Sequence, residues 1–528
     1  MSWVNPNGRS DVLARNGIVA TSSPLASQAG IEILRAGGNA VDAAIGAAAV
    51  LDVVEPFSTG CGGDAFALIH KPGQNRPLSF NGSGRSGSAA SLDDIMKMNW
   101  EAIPMRGGAP VTVPGAMRLW SDLVAWHGKM DFSDVLKPAI EYGREGFPVS
   151  PIIARNWASV VSALRNKEAK KVFTIDGRAP VVGEMMRNPD LADVFEKVGK
   201  EGTDAFYTGE TAEAIVDTVE KNGGFLTTDD LAKHKTMETE PISVSYRGIE
   251  VFEHPPNGQG FAALIMLNIM ERFDMEDMEP MSVERYHLMI EAKKLAYADL
   301  HAHNADPQFY ECPLDKLLSK EFASSRANLI SHERAMSQYG PGITTGSDTI
   351  YLCTADSSGL AVSFINSLYL GFGSGLVVPG TGIKLQNRGN LFSLDPDHPD
   401  CYAPNKLPFH TIIPGALYTD GELLGVFGIM GGAHQAQAHA QFVSNLADYQ
   451  MPPQKALDYP RFNHDHESNE VGLEIGFPNE MWPALSARGH NVVPRASLAF
   501  GGGQAILKLN DTWIAGSDRR KDGQAVGY

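Results

Sequence analysis

The chain has 528 residues, with 44 Lys+Arg against 62 Asp+Glu, so its formal net charge is −18. A hydrophobic content of 43% and a charged content of 20% are ordinary for a globular protein and argue against disorder. The acidic balance argues against a protein that binds nucleic-acid phosphates, and no apolar run is long enough to span a membrane.

Cysteine usage and the N-terminal residues indicate the compartment. Cys61, Cys312, Cys353 and Cys401 lie far apart without CxxC pairing, which excludes a disulfide scaffold and a zinc site built from paired cysteines. The first 17 residues are polar and lack the apolar core of a signal peptide. We therefore expect a cytoplasmic protein with no membrane partner and no nucleic-acid partner.

The first 70 residues predict a strand, two helices and a second strand. GIVATSS from Gly17 is typical of a strand, and the helical spacing in PLASQAGIEILRAGG predicts a helix that ends at Gly37-Gly38. NAVDAAIGAAAVLDVV is so apolar that we expect a helix buried on most faces. A glycine-dense turn then leads into a strand that contains FALI.

The middle of the chain, residues 115–335, is mostly helical by pattern, as in the helix predicted from Val283. A turn rich in proline and glycine, HPPNGQG at 254–260, interrupts this pattern. Residues 337–348 consist largely of Gly, Ser, Thr and Pro, so we expect an exposed flexible segment in which cleavage is tolerated.

From Thr349 the pattern becomes that of a β-rich unit. TIYLCTAD and LAVSFINS are strand-like runs separated by Ser-Ser-Gly, which predicts a hairpin. GALYT and LLGVFGI predict later strands, and a double glycine precedes a helix at GGAHQAQAHAQFVSNLADY. We place the main internal boundary between Asp348 and Thr349.

Thr349 is the strongest candidate for chemistry, because it combines a strand start with a preceding flexible segment. A threonine hydroxyl is a weak nucleophile that needs an adjacent base. Cleavage before Thr349 would supply one, because the freed α-amine has an unperturbed pKa of about 7.7–8.0. The alternative is an ordinary β-branched strand residue, which composition alone favours.

A series of short motifs extends along nearly the whole chain. They are AGGNAVDAA at 36–44, EPFSTGCGGDAF at 55–66, VPG at 113–115, EGFPVSP at 145–151, GGFLTTDDLA at 223–232, YRG at 246–248, AYAD at 296–299, TIYLCTAD at 349–356, FGSG at 372–375, PNKLPFHTIIP at 404–414, GIMGG at 428–432, ALDYPRF at 456–462 and the terminal SDRR…GY. In this order they resemble the motifs of the γ-glutamyltranspeptidase family of N-terminal nucleophile hydrolases. As a set they are highly specific, although no single one is.

The resemblance implies an α+β fold, a four-layer αββα sandwich, and autocatalytic cleavage between Asp348 and Thr349. The products would be a large chain, 1–348, and a small chain, 349–528, that form a heterodimer, with a dimer of heterodimers as a further option. Thr349 corresponds to the nucleophile and Ser367 to a supporting hydroxyl. Gly431 and Gly432 correspond to the pair whose N–H groups form the oxyanion hole, and such amides stabilise charge that develops in the tetrahedral intermediate.

The residues that hold the γ-glutamyl group in transpeptidases are replaced in this chain. Asn81 stands at the position of the carboxylate-binding arginine, with Arg85 as a nearby substitute or a surface charge. Tyr369 replaces an asparagine, and Arg388 and Leu391 replace a glutamine and an aspartate. His410 and Thr411 replace a serine pair.

These replacements point away from a γ-glutamyl substrate, because without the aspartate an α-ammonium has no anionic partner. Arg388 would suit a bidentate pair with a carboxylate, and a loop-surface cation is the equally weighted alternative. His410 is as compatible with a structural histidine as with a pocket residue.

The pattern resembles the family's divergent members, of the cephalosporin- or glutaryl-acylase and oxamate-amidohydrolase kind. We expect a small anionic amide as substrate, with oxamate as the named candidate, and no cofactor or metal. The alternatives are a γ-glutamyltransferase or glutathione hydrolase, and an unprocessed relative that binds small acids without catalysis.

Overall fold

The computed structural model describes residues 8–337 and 348–528, and the predicted flexible segment therefore lies almost wholly outside the described residues. The strands in the described residues are β1 (Val12–Ala14), β2 (Gly17–Thr21), β3 (Asp64–His70), β4 (Leu78–Gly82), β5 (Phe147–Pro148), β6 (Met185–Met186), β7 (Met237–Thr239), β8 (Ile242–Tyr246), β9 (Ile249–Glu253), β10 (Asp348–Asp356), β11 (Ala361–Tyr369), β12 (Gly415–Thr419), β13 (Glu422–Met430), β14 (Phe462–His464), β15 (Glu470–Leu473), β16 (Asn491–Pro494), β17 (Gly502–Leu509), β18 (Thr512–Ser517) and β19 (Gln524–Gly527).

The helices lie mainly between the strands of the first two thirds of the chain. They are α1 (Pro24–Arg35), α2 (Ala40–Val54), α3 (Leu92–Met96), α4 (Ala116–His127), α5 (Phe132–Glu145), α6 (Pro151–Val160), α7 (Lys167–Phe173), α8 (Pro189–Glu201), α9 (Asp204–Tyr207), α10 (Gly209–Lys221), α11 (Thr228–Ala232), α12 (Gly260–Met270), α13 (Val283–His303), α14 (Leu314–Leu317), α15 (Lys320–Ala327), α16 (His434–Ala447), α17 (Pro453–Asp458) and α18 (Met481–Ala487). Within the described chain, no helix is both long enough and apolar enough to cross a membrane.

Two seven-stranded sheets organise the fold. Sheet I has the order β1-β18-β17-β13-β12-β9-β8, and sheet II has the order β19-β2-β10-β11-β3-β4-β7. Every neighbouring pair in both sheets is antiparallel. The chain is thus a mixed α/β protein with extensive antiparallel sheet, as the sequence predicts.

Apolar side chains from both sheets form one buried cluster between them. Phe66, Tyr351 and Ile365 of sheet II meet Tyr418 and Met430 of sheet I in this cluster. Alternate residues of a strand point to opposite faces, so the intervening positions face outward. Ile350 and Leu352 accordingly join a second apolar cluster with α2 and α4, whereas Phe427 and Ile429 join a third with α12, α13 and α16.

The helices predicted from apolar patterning are confirmed. All 15 residues of α2 are buried, as expected for so apolar a helix, and the Asn39 side chain caps its first turn by accepting from the backbone N–H of Val41 and Asp42. α13 begins at Val283, as predicted, and spans 21 residues. The predicted hairpin is β10–β11, and the double glycine lies between β13 and α16.

The hairpin has an irregularity at its open end. Ile350 pairs with Asn366, but Asp348 pairs with Tyr369, so Thr349 faces two residues of β11, Ser367 and Leu368. A bulge of this kind increases the local twist and redirects side chains, and bulges are common beside active sites. The irregularity therefore marks the end of the hairpin at which the predicted nucleophile lies.

Candidate active site

Thr349 and Ser367, the predicted nucleophile and its supporting hydroxyl, face the space between the two sheets. Because Tyr351 and Cys353 of β10 point into the inter-sheet cluster, Thr349 points the same way. The same alternation places Ser367 of β11 on this face, two positions after Ile365. Antiparallel neighbours begin and end at the same edge, which brings residues from distant parts of the sequence together.

The hydroxyls of Thr349 and Ser367 are in direct contact. Their oxygens lie 3.0 Å apart, and both side chains are buried. The Ser367 hydroxyl also accepts a hydrogen bond of 2.8 Å from the backbone N–H of Tyr369. Tyr369 has a φ of 77°, a strained value for a residue with a side chain, so the chain turns sharply here after β11. These contacts fix the orientation of the Ser367 hydroxyl beside Thr349.

Gly431 and Gly432 form the turn between β13 and α16. Their φ values of 141° and 59° lie in the region that favours glycine. The carbonyl of Gly431 accepts from the N–H of His434, and the carbonyl of Gly432 accepts 2.8 Å away from Nε2 of Gln259. Because the carbonyl of one residue shares a planar peptide with the N–H of the next, these bonds also orient the N–H groups of Gly432 and Ala433.

Arg388 is buried in the fold and is not a surface cation, which excludes the alternative raised by the sequence. Its Nη1 donates 2.8 Å to the hydroxyl of Thr411, and its guanidinium carbon lies 4.5 Å from the ring centroid of Tyr369. Nε and Nη2 have no hydrogen-bond partner among the described residues. Burial lowers the pKa of Arg388 to about 10, and the opposing charge of Asp64 limits this shift. A buried guanidinium with two free N–H directions is a strong site for an anion.

His410 is also buried, and its ring is bonded to Asp64. Nε2 of His410 and Oδ2 of Asp64 lie 2.9 Å apart, and Nδ1 has no partner among the described residues. Burial raises the pKa of Asp64 to about 7, against the charge of Arg388 and the backbone N–H of Gly84. Burial lowers the pKa of His410 well below its usual value, with a smaller contribution from Arg388. His410 is therefore a neutral imidazole held by a carboxyl group.

Asn81 and Arg85 are occupied by protein partners. The amide of Asn81 donates 2.9 Å to Oδ1 of Asn257, and its oxygen accepts from the backbone N–H and the hydroxyl of Ser83. Arg85 forms a 2.7 Å ion pair with the buried Asp306. These bonds leave neither side chain as available to a ligand as Arg388.

The turn HPPNGQG at 254–260, rich in proline and glycine, connects the parts of the candidate site. Asn257 accepts from the N–H of His410 at its backbone oxygen, and its amide donates 2.7 Å to the carbonyl of Pro408. Gln259 donates to the carbonyls of both Thr411 and Gly432. Nothing in HPPNGQG signals these contacts, because their partners lie about 150 residues or more away.

One cluster among the described residues has the composition of a metal site. The ligand atoms of His287, Glu291 and His490 lie within 4.8 Å of one another, and all three side chains are buried. However, Glu291 already pairs with Lys294 at 2.9 Å and accepts from the N–H of Met336. The cluster therefore has protein partners that anchor the segment before residue 337.

The sequence profile of the γ-glutamyltranspeptidase family matches residues 26–528. The glutathione hydrolase-like YwrD proenzyme of Bacillus subtilis is 37% identical over 525 residues, covering 98% of this chain and 99% of that protein. The oxamate amidohydrolase proenzyme of Klebsiella pneumoniae is 34% identical over 532 residues, covering 98% and 99%. The crystal structure of cephalosporin acylase from Bacillus halodurans superposes with a TM-score of 0.93 at 42% identity, covering 100% of this chain and 98% of that one.

Proposed function

The chain belongs to the γ-glutamyltranspeptidase family and is an amidohydrolase of the N-terminal nucleophile type, and from this premise we propose its reaction and substrate class. It is a self-processing enzyme that cleaves the amide bond of a small amide carrying a carboxylate, and oxamate is the named candidate. Its layers form the αββα sandwich of such hydrolases, with residues 1–348 as the large chain and 349–528 as the small chain.

The observation that carries the substrate class is the free face of Arg388. Nε and Nη2 lie on one side of a guanidinium, which is the geometry that binds both oxygens of a carboxylate. Nη1 is already fixed by Thr411. A substrate carboxylate would therefore satisfy the two buried donors that have no partner in the described part of the chain.

Self-processing begins at Thr349. Its Oγ attacks the carbonyl carbon of Asp348, the peptide C–N bond breaks, the hydroxyl proton passes to the departing nitrogen, and an ester replaces the amide. Water then hydrolyses this ester and leaves Thr349 with a free α-amine. The Ser367 hydroxyl, 3.0 Å from Oγ1 of Thr349, orients the attacking oxygen in this step.

The mature reaction uses the same oxygen with the new amine as base. Oγ of Thr349 bonds to the substrate carbonyl carbon while the α-amine takes its proton and passes it to the departing nitrogen. The N–H groups of Gly431 and Gly432 stabilise the oxyanion, and ammonia or an amine leaves. Water then breaks the acyl-threonine ester, and its proton restores the hydroxyl. Oxamate would give oxalate and ammonia.

A γ-glutamyl substrate is less well served by this pocket. Leu391 packs against an apolar cluster and offers no anion to an α-ammonium group. The unprocessed binding relative is disfavoured by the contact between Thr349 and Ser367, which ligand binding alone would not require. The four unpaired cysteines fit the cytoplasmic location expected from the sequence.

Intact mass spectrometry and a substrate panel test the proposal. The wild type should separate into two chains, the smaller beginning at Thr349, and should release ammonia from oxamate. Thr349→Ala should remain one chain and release none. Faster turnover of a γ-glutamyl anilide than of any small carboxylated amide would overturn the substrate class, and a single uncut chain that is active would overturn the mechanism.

A further inference from the structure

Gln259 lies at the start of α12 and is completely buried. Its amide nitrogen donates to two backbone carbonyls, those of Thr411 and Gly432, the second at 2.8 Å. Because a carbonyl oxygen cannot donate a hydrogen bond, two carbonyl partners identify this atom as the nitrogen and fix the orientation of the amide.

The two carbonyls belong to the two anchor points of the proposed substrate. The hydroxyl of Thr411 accepts a hydrogen bond of 2.8 Å from Nη1 of Arg388, so the position of the Thr411 backbone affects the position of the guanidinium proposed to bind the carboxylate. Gly432 lies in the turn that stabilises the oxyanion. The amide nitrogen of Gln259 is thus bonded both to the residue that holds Arg388, where the substrate carboxylate is proposed to bind, and to the turn proposed to stabilise the oxyanion.

We propose that Gln259 is a positioning residue that determines which acyl length the enzyme prefers, because it fixes the distance between the Arg388 guanidinium and the Gly431–Gly432 turn. This inference rests on the proposed function. A substrate whose carboxylate and scissile carbonyl match that distance reaches both anchors at once. A substrate with one more methylene must give up one anchor or strain its chain.

The local structure allows this role to be separated from folding. The loop before β12 is also held by the N–H of His410 on the carbonyl of Asn257 and by the N–H of Ile413 on Oε1 of Gln435, 3.1 Å away. Loss of the Gln259 amide therefore leaves the loop attached but allows it to shift relative to the oxyanion turn. Shifts of about 1 Å near a reacting centre cost about 100-fold in rate.

Gln441 provides a matched control. It is also buried, and its amide nitrogen donates to two backbone carbonyls, those of Gln437 at 3.0 Å and Phe462 at 3.2 Å. None of these groups contacts Arg388, Thr411 or Gly432 in the described structure. Gln441→Met therefore removes these two hydrogen bonds, and also the one that Oε1 accepts from the backbone N–H of Phe462, without loosening the two anchors, so it is the more severe loss of buried hydrogen bonds.

The experiment compares the processed wild type, Gln259→Met and Gln441→Met on the monoamides of oxalic, malonic, succinic and glutaric acids. Ammonia release gives kcat/KM for each length. We expect the wild type and Gln441→Met to prefer one length over the next by about 10-fold or more, in the range found for one methylene. In Gln259→Met the ratio of kcat/KM between the preferred length and the next should fall to about 3 or less.

A Gln259→Met variant that slows all four substrates by one common factor would overturn the inference, because a purely structural residue would act in that way. If Gln259→Met does not process or fold, Gln259→Glu decides with the same readout, since it keeps the shape and removes the donors. A wild type that hydrolyses none of the four monoamides but cleaves a γ-glutamyl anilide would overturn the proposed function instead.

Discussion

Oγ1 of Thr349 and Oγ of Ser367 lie 3.0 Å apart, on two strands of one hairpin and 18 residues apart in the sequence. The bulge at the end of this hairpin sets two residues of β11 opposite Thr349. In the proposed mechanism this geometry serves two reactions, because the oxygen proposed to process the chain is also the one proposed to attack the substrate. Variants of these two residues should therefore affect both processing and turnover.

Replacing Thr349 separates a requirement for the hydroxyl from a requirement for the methyl group. Thr349→Ala should abolish chain separation and turnover, because no attacking oxygen remains. Thr349→Ser keeps the oxygen and should process, although more slowly, because the β-branched side chain that restricts its rotamer is lost. Mass spectrometry and ammonia release measure both outcomes. Turnover by the alanine variant at the wild-type rate would contradict the assignment of the nucleophile.

Ser367→Ala should slow self-processing by about 10- to 100-fold, since the hydroxyl that orients Oγ of Thr349 is removed. Ser363 lies on the same face of β11, where its hydroxyl is 2.7 Å from that of Tyr351. Ser363→Ala serves as the control and should process at the wild-type rate. Gel densitometry over time gives both rates, and equal rates for the two variants would argue against a specific role for Ser367.

Arg388→Met should raise KM for a carboxylated amide by about 30-fold or more, because loss of one partner of a buried charged hydrogen bond costs about 2–5 kcal/mol. Arg388→Lys should recover only part of this, since an ammonium cannot form the two parallel bonds. Self-processing needs no substrate carboxylate and should continue in both variants. Steady-state kinetics on the processed protein make the comparison, and an unchanged KM would exclude Arg388 from the pocket.

The pKa of Asp64, raised to about 7 by burial, predicts a pH-dependent affinity. Above about pH 7 the ionised carboxylate partly neutralises Arg388, so KM for an anionic amide should rise as the pH increases through 7. Asp64→Asn should give a lower KM with no step in this range. Steady-state kinetics between pH 5.5 and 8.5 test this, and a parallel step in both proteins would assign it to another group.

The same shift predicts how the stability of the folded chain depends on pH. The folded pKa of about 7 exceeds the unfolded value of about 3.9, so the folded state binds more protons between these values. The contribution of Asp64 to the free energy of unfolding therefore falls as the pH rises from about 4 to 7. The melting temperature of the wild type should therefore fall relative to that of Asp64→Asn as the pH rises from about 4 to 7. Melts of the two proteins across this pH range measure the change.

A buried ion network in the small-chain region gives a prediction about stability. Asp518 pairs with Arg461 at 2.7 Å and with Arg520 at 3.0 Å, and all three side chains are buried. Asp518→Ala should cost about 3–5 kcal/mol of unfolding free energy, because the buried Arg461 loses its paired anion and Arg520 keeps only Glu474. The exposed pair of Lys221 and Asp217 is the control, and Asp217→Ala should melt like the wild type.

Local patterns in the sequence predict much of the fold. The apolar composition of α2 predicts a buried helix, and the Ser-Ser-Gly break predicts the β10–β11 hairpin. These features depend on neighbours within a few residues, which a single sequence displays. The family motifs extend this prediction to the order of the main elements and to the residues proposed for catalysis.

The pairing of the pocket residues could not be predicted in the same way. Arg388 was equally compatible with a surface loop, and its burial against Tyr369 and Thr411 decides between the two alternatives. Nothing in the sequence identified Asp64 as a pocket residue, although its carboxyl group is hydrogen-bonded to His410, 346 residues away. Contacts at such separations depend on the order of strands within the sheets.

The sequence by itself determined the family, and it supplied the prediction that Thr349 is the nucleophile and the expectation that the γ-glutamyl-binding residues are replaced, because each of these depends on residue identity and local order. The tertiary structure decided which polar groups are satisfied and which are left open. Among the described residues, it pairs Asn81 and Arg85 with protein partners, gives no partner to Nε and Nη2 of Arg388, and connects Thr411 to Gly432 through Gln259. The physical reason is that hydrogen-bond satisfaction is a property of atoms in space, and sheets I and II bring those atoms together from across the chain.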